Sequence, residues 1–443
     1  MGIHSIEKKQ LSAKGILTKV RSILKKIPEP SRNPRGIKPK IQLADCLMSA
    51  LAIFGLKFPS LLQFDQHCND DVVKYNLKTL YQVNRSPDDT NMRQRLDKVD
   101  PRSIRPAFKA IFSLLQRGKI LQGYKFLGEY LLIACDGTNM FSSNLVHCTN
   151  CCEKHHKDGR VTYYHQMLGV VVVHPDQKEV FPLCPEPISK PDGFTKNDCE
   201  QNAMKRLLQD FQKEHPKLKV IFTEDALSAK GPYLKQIQEI GAHFIVNVNP
   251  RGNPSLFAWL KGIVLQRKTI TTKIETIELG FYNGVPINDS HHDLQVNFID
   301  CIVRNKKGKV TGHFSWATDI PVTEKNVYEL SRGGRARWKV ENETFNTLKN
   351  QGYQFEHNFG HGYKNLSHVF GLLMFLAFLI DQVQQRCCGL FQAALTKMKR
   401  KLYFWNRLRS AFQEFYIDSW LDLLTWIAGK KKGVKLKELL NTS

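Results

Sequence analysis

Apolar residues recur at helical spacing through the first quarter of the chain. Ile16, Val20, Ile23, Leu24 and Ile27 repeat every three or four positions until Pro28, Pro30 and Pro34 interrupt them, which predicts an amphipathic helix followed by a linker. Over residues 41–128 a period of about 3.6 persists, carried by Leu43, Cys46, Leu47, Ala50 and Leu51 and later by Ile104, Phe108, Ile111, Phe112 and Leu115, so this region reads as a helical domain. At Tyr130 the pattern changes. Residues 131–135, 163–174 and 179–183 are apolar runs separated by turn-rich segments, and each predicts a strand. A helix is expected over 199–215, a fourth strand over 219–223, a helix over 233–240 and a fifth strand over 243–248. Three successive strands followed by alternating helix and strand describe an α/β sheet whose leading strands are joined by hairpins. Strand-like alternation returns over residues 263–320, carried by 273–279 and 296–303 and read as a β insertion, and beyond Glu324 the chain reads as helical almost to its end. The apolar run 366–380 contains Ser367 and His368 and is shorter than the ~20 residues a bilayer requires. It is therefore expected to be a buried helix, with no membrane association. No internal repeat is evident.

With 443 residues and 42% hydrophobic positions, the chain can bury a large core, and disorder, collagen and a membrane barrel are excluded. Charge changes the picture more. Lys plus Arg number 65 against 41 Asp plus Glu, a net +24, and the pI is near 9.5. Such an excess calls for an anionic partner, and nucleic acid is the largest available, although a basic RNA-associated or membrane-surface protein has the same balance. The basic residues collect at both ends. Residues 1–40 hold eleven Lys/Arg against two Glu, and Lys397, Lys399, Arg400, Lys401, Arg407 and Arg409 are interleaved with Tyr403, Phe404 and Trp405, ahead of Lys430, Lys431 and Lys432. Two cationic arms of this kind predict binding that weakens steeply with salt, while either arm alone can be a solvated face. Eleven Cys, with adjacent pairs at Cys151/Cys152 and Cys387/Cys388, do not form a disulfide framework, so reduced thiols are expected. No apolar stretch follows the charged first ten residues, and a cytoplasmic location is expected. Gly231, Gly252 and Gly280 make no P-loop, so no nucleotide triphosphate is expected as a partner.

Three acidic positions carry candidate chemistry. The first predicted strand ends in Asp136-Gly137-Thr138, at the carboxyl edge where open α/β sheets place ligands. The fourth ends in Glu224-Asp225, and because side chains alternate along a strand, one of these two is expected to be structural. Taken singly, each Asp can equally be a helix cap or turn former. On a continuous helix at about 100° per residue, Glu341 falls in one arc with Trp338, Phe345 and Leu348, which makes it inward-facing. Arg337 lies one turn earlier to neutralise it, and a plain i,i+4 ion pair is the simpler alternative. Two acids at strand ends and one on a later helix suit a two-metal phosphoryl-transfer site, in which hard oxygen ligands hold paired Mg²⁺ ions and no covalent nucleophile is needed.

These residues resemble the DDE transposases of bacterial insertion sequences, in the branch with a β-strand insertion before the Glu helix. The likeness rests on Asp136-Gly137-Thr138, on Glu224-Asp225, and most specifically on Trp316-Ala317-Thr318-Asp319 leading through Tyr328-Glu329-Leu330 to Arg337-Trp338-Lys339-Val340-Glu341. The branch has a Tyr-x2-Arg-x3-Glu-x6-Lys signature. Arg337 and Glu341 fit it, the Tyr position is Gly334, and the nearest Lys, Lys349, comes one residue late. Tyr163 to Gln166, His174-Pro175-Asp176, Phe181-Pro182-Leu183 and the segment from Gly352-Tyr353 to Gly362 are also similar, so the likeness spans roughly residues 40–385.

The resemblance implies an RNase H-like mixed α/β sheet core with a β-strand insertion, flanked by an N-terminal helical domain and a helical C-terminus. The corresponding divisions are a basic DNA-binding region over 1–125, core over 126–262, insertion over 263–322, the Glu-bearing helix over 323–365 and a helical dimerisation or DNA-contact region over 366–443. It further implies that Asp136, Asp225 and Glu341 ligate two Mg²⁺ (or Mn²⁺) and that Arg337 and Lys349 contact DNA phosphate. Trp316 or Trp338 is then placed to stack on a flipped base, with core packing the alternative for Trp338. The implied reaction is hydrolysis at a transposon end followed by attack of the freed 3′-hydroxyl on target DNA. Double-stranded DNA and a second copy of the chain are the implied partners, with the protein on the bacterial nucleoid. A nuclease of the same fold that does not join strands, and a catalytically silent DNA-binding derivative, are the rival readings.

One further cluster has metal-ligand spacing. In His147-Cys148-x2-Cys151-Cys152-x2-His155-His156, the residues Cys148, Cys151 and His156 match the first three ligands of a zinc knuckle, while Val161 takes the fourth place. Zn²⁺ then requires Cys152 or a distant His; otherwise this is a polar hairpin tip with free thiols. The loop Glu356-His357-Asn358-Phe359-Gly360-His361 is expected to bind only phosphate or water. Of Asp192, Asp198 and Glu200, Asp198 reads as an N-cap and Glu200 as a first-turn charge, with a fourth carboxylate ligand the weaker alternative.

Overall fold

The computed structural model describes residues 9–29, 39–190, 199–429 and the backbone of 437–438. The Pro-rich linker, the Lys430–Lys432 tail and the acids Asp192 and Asp198 lie outside the described residues. The N-terminal part is helical, with α1 (Ala13–Leu24), α2 (Leu43–Gly55), α3 (Leu61–His67), α4 (Asp71–Tyr81), α5 (Asp89–Leu96) and α6 (Arg105–Arg117). Ser12 caps α1 by accepting from the Gly15 amide at 3.2 Å, and Ile16, Leu17, Val20 and Leu24 are buried. The basic amphipathic helix thus spends its apolar face on the core and leaves Lys14, Lys19 and Lys25 exposed.

The strands β1 (Lys125–Phe126), β2 (Tyr130–Ser143), β3 (Cys152–His155), β4 (Val161–Val173), β5 (Phe181–Pro182), β6 (Glu186–Ile188), β7 (Val220–Glu224) and β8 (His243–Asn247) come next, with α7 (Glu200–Glu214) before β7 and α8 (Gly231–Glu239) after it. After the short α9 (Pro254–Leu260) come β9 (Gln266–Thr271), β10 (Glu275–Pro286), β11 (Gln295–Asn305) and β12 (Val310–Thr318). All twelve belong to one mixed sheet. Its order is β3-β4-β2-β7-β8-β12-β11-β10-β9, with β1 on β2 and with β5 and β6 on β4. The pairs β2/β7 and β7/β8 are parallel, and every other pairing in this sheet is antiparallel. The inserted strands therefore lengthen the central sheet, because β12 pairs with β8 from Trp316↔Asn247 to Thr318↔Ile245.

Helix α10 (Val327–Ala336) leads into a π-helical turn, Val340–Phe345, and the short α11 (Asn346–Asn350). The C-terminal helices are α12 (Leu366–Cys387), α13 (Gly389–Met398), α14 (Lys401–Glu414) and α15 (Trp420–Ile427). α12 is longer than the sequence pattern suggests. By length and composition it can cross a membrane, yet 89% of its most apolar stretch is buried inside the protein, where it packs against α2. It is the central helix of the core, and Lys57 at the end of α2 pairs with its Asp381 at 2.7 Å.

Candidate functional site

β2 does not end at Asp136, as the apolar run suggests, but continues to Ser143 against β4. What ends near Asp136 is its parallel pairing with β7. The last register pair is Ala134↔Thr223, and continuing it by two residues sets Asp136 level with Asp225. Both acids lie where the parallel strands diverge, the position at which α/β sheets hold ligands. They line a cavity of about 490 Å³ together with Gln166, Glu200, Glu224 and Tyr233.

Alternation along the strands sorts these side chains. Asp136 pairs with Gly169, and a Cβ at Gly169 would lie 2.5 Å from the Phe345 ring, so the π-helical turn rests on the Asp136 face. Gly137 points the other way, where a Cβ would meet Glu200 Oε1 at 2.0 Å. Glu224 is buried and accepts a hydrogen bond from the Tyr233 hydroxyl, which makes it the structural member of the Glu224/Asp225 pair. Burial pushes its carboxyl up to about 7.

Seated by Phe345, the turn brings Glu341 toward Asp136. Arg337 spans them, with Nη1 3.0 Å from Asp136 Oδ2 and Nη2 2.8 Å from Glu341 Oε1. Burial raises the Asp136 carboxyl to about 6; the Arg337 charge opposes this, and Glu341 and Asp225 add to it. Asp136 thus feels two acidic neighbours and one cation. Burial and the Asp225 charge likewise raise Glu200, which Gln166 Nε2 holds at 2.9 Å.

Glu341 is not inward-facing in the way a continuous helix predicts. The amide of Asn346 donates to the carbonyl of Glu341, an i to i+5 bond, and this wider turn rotates the face. Val340, Thr344, Phe345 and Leu348 are buried, while the Glu341 side chain is 49% exposed. The same rotation turns Trp338 outward, 50% exposed, so it does not pack in the core. Trp316 does. It is 1% exposed, stacked on Phe314 at 5.7 Å, and cannot meet a flipped base without unfolding its surroundings. A Cβ on Gly334 would lie 2.4 Å from the Trp316 indole nitrogen, which explains why no tyrosine fits there. Lys349 is paired with Glu356 at 2.7 Å.

The Cys/His cluster differs from its predicted composition. Cys152 is buried with its thiol toward the Ile188 carbonyl, and His156 bonds Thr162 Oγ1 at 2.9 Å, so neither joins Cys148 and Cys151. In their place stand His165, from the middle of β4, and His361, from the loop after α11. The four donor atoms lie within 4.8 Å of one another, an arrangement that can hold a metal ion such as zinc. His361 is therefore buried against Cys151 and is no solvent-facing phosphate ligand. A hydrogen bond with Cys151 draws the Cys148 thiol down against the effect of burial, with His165 and His361 acting in the same sense. The signal that could have found His165 is a histidine embedded in the apolar run of β4, where an unpartnered imidazole is costly.

No protein-family model matches the chain, and no curated protein matches it.

Proposed function

We propose that the chain is a divalent-metal-dependent DNA transposase of the DDE kind, built on an RNase H-like core. What supports this reading is the placing of Asp136 beside the other two acids: Arg337 bridges it to Glu341, and the parallel register sets it level with Asp225 on the neighbouring strand. The strand order supports the fold assignment: β4 is the only antiparallel member of the β4-β2-β7-β8 group, with β5 and β6 on its outer side.

The acids fit a pair of Mg²⁺ ions. Their oxygens are hard donors, and the mutual repulsion that raises Asp136 is what divalent cations relieve. When bound, such ions activate the attacking oxygen and stabilise the leaving one. Asp136 and Asp225 supply ligand oxygens from the fixed sheet, and Glu341 supplies one from the turn above. Arg337 neutralises Asp136 and Glu341 in the free protein and would be available to a DNA phosphate if bound metal took over that charge. Beside the turn, a groove lined by Lys178, Arg400, Lys401, Asn342, Asn346 and Asn350, with the single acid Glu343 among them, offers cations and amides to a DNA backbone. The net charge of +24 suits the same partner. Two transposon ends have to be processed together, so the working form is a homodimer on DNA.

The test uses labelled DNA carrying the sequences that flank the gene, with Mg²⁺ or with EDTA. Cleavage followed by a joined product is expected from the parent and from neither Asp136→Asn nor Glu341→Gln. Variants that cut as well as the parent reject the acid assignment. Cleavage without joining indicates a nuclease, and binding without cleavage a silent derivative.

A further inference from the structure

We infer that Cys148, Cys151, His165 and His361 hold one structural Zn²⁺ that fastens the loop after the Glu341 turn to the hairpin of β2 and β4. The inference does not depend on the transposase reading. A tetrahedral Cys2His2 site with Zn–S of about 2.3 Å and Zn–N of about 2.05 Å has edges of about 3.8 Å between sulfurs, 3.6 Å between sulfur and nitrogen, and 3.4 Å between nitrogens. The measured edges are 3.9 Å for Cys148 Sγ to Cys151 Sγ, 3.4 and 3.5 Å from these sulfurs to His165 Nε2, 3.2 Å for Cys151 Sγ to His361 Nε2, and 3.4 Å for His165 Nε2 to His361 Nε2. These five edges lie within about 0.4 Å of the tetrahedral values, and the sixth, Cys148 Sγ to His361 Nε2, is within 4.8 Å. The sulfur separation also excludes a disulfide, whose bond is about 2.05 Å.

Charge and surroundings agree. Two thiolates neutralise Zn²⁺, so the buried site carries no net charge and avoids the penalty of an unpaired ion. The outer hydrogen bond expected of a metal-bound histidine is present: His165 Nδ1 lies 3.2 Å from Nε2 of His368, which is buried on α12. The hairpin tip and the loop already touch through Thr149 Oγ1, which donates to the Tyr363 carbonyl at 3.2 Å, and through Asn150, which donates to that of Lys364. From below, the Asp97 carboxylate accepts from the amides of Tyr363, Lys364, Asn365 and Leu366 at 2.9 to 3.1 Å. Zinc clamps the upper side of the same loop, joining segments 210 residues apart in sequence.

The experiment is metal analysis of the full chain purified without added zinc or chelator. About one zinc per chain is expected, and cobalt loaded into the stripped protein gives the visible bands of a tetrahedral ion with thiolate charge transfer. His361→Ala and Cys148→Ser each lose the metal, whereas Cys152→Ser and His156→Ala keep it. His368→Leu keeps the metal but binds it about 10- to 100-fold more weakly. Stripping zinc from the parent raises hydrogen exchange over residues 351–365, which a surface ion would not do. The inference is overturned by a parent chain that holds no zinc and takes up no tetrahedral cobalt. Loss of zinc from Cys152→Ser or His156→Ala to the extent seen with His361→Ala would overturn it equally, and these readings stand whether or not the protein cuts DNA.

Discussion

Arg337 reaches Asp136 from the segment that carries Glu341, its Nη1 3.0 Å from the Asp136 carboxylate. The guanidinium spans two acids that otherwise repel each other, a geometry that one ammonium group cannot copy. Arg337→Ala is predicted to raise Asp136 further, to move the pH dependence of cleavage upward, and to lower its rate on the order of a hundredfold. Arg337→Lys restores little. A pH–rate profile of each variant measures both effects.

Asp136 also makes stability depend on pH. Its carboxyl is held at about 6, above the ordinary 3.8, by burial foremost. The folded protein therefore binds this proton more tightly than the unfolded chain does, and stability falls as pH rises from about 4 to about 6 and stays lowered above that. Asp136→Asn removes the penalty. Its melting temperature should exceed the parent's at pH 8 and match it at pH 4, and Mg²⁺ should raise the parent's at pH 8 but not the variant's.

The two tryptophans near the site should behave oppositely. Trp316→Ala empties a fully buried position and is predicted to cost about 3–5 kcal/mol. Trp338→Ala touches a half-exposed side chain and should change stability by less than about 0.5 kcal/mol while weakening DNA binding. Denaturant unfolding and a DNA titration separate the two effects.

How much of this was legible beforehand depends on whether the signal was local. The helices of residues 43–117 and strands β7 and β8 follow from periodicity, because each buries one continuous apolar stripe. β1, β3 and β6 escaped, and β9 and β12 were covered only by the general alternation over 263–320, since short or polar strands are fixed by their neighbours in the ladder and not by their own composition. Asp136, Asp225, Arg337 and Glu341 stood out as charged residues at the edges of apolar patterns. The face of Glu341 did not, because one i+5 hydrogen bond shifts the helical phase and leaves no mark in the sequence. Cys148 and Cys151 were visible by spacing. His165 and His361 were not, since only the fold brings β4 and the loop after α11 together.

Lys57 is a fixed point of the core. Its ammonium is buried 2.7 Å from Asp381 and 4.0 Å from the ring centres of Tyr353 and Trp405. Lys57→Met strands the Asp381 charge and is predicted to cost about 3–5 kcal/mol, most of it recovered in Lys57→Met/Asp381→Leu. Chemical denaturation of the single and double variants checks this.

The groove beside the Glu341 turn should govern salt sensitivity. Replacing Arg400 and Lys401 by Ala removes two cations from its wall. DNA affinity should fall, and the slope of log affinity against log salt should shrink by about 1 to 2. An unchanged slope would place the DNA elsewhere.

The return of β12 to the side of β8 has a consequence for how such a chain tolerates growth. Whatever length of polypeptide is looped out between these neighbours, the ladder registers its last strand against the same edge and delivers α10 from the same doorstep. Sequence distance between Asp225 and Glu341 is thereby uncoupled from their distance in space. The outer hairpins can be enlarged or trimmed, and the bridge of Arg337 between Asp136 and Glu341 need not change.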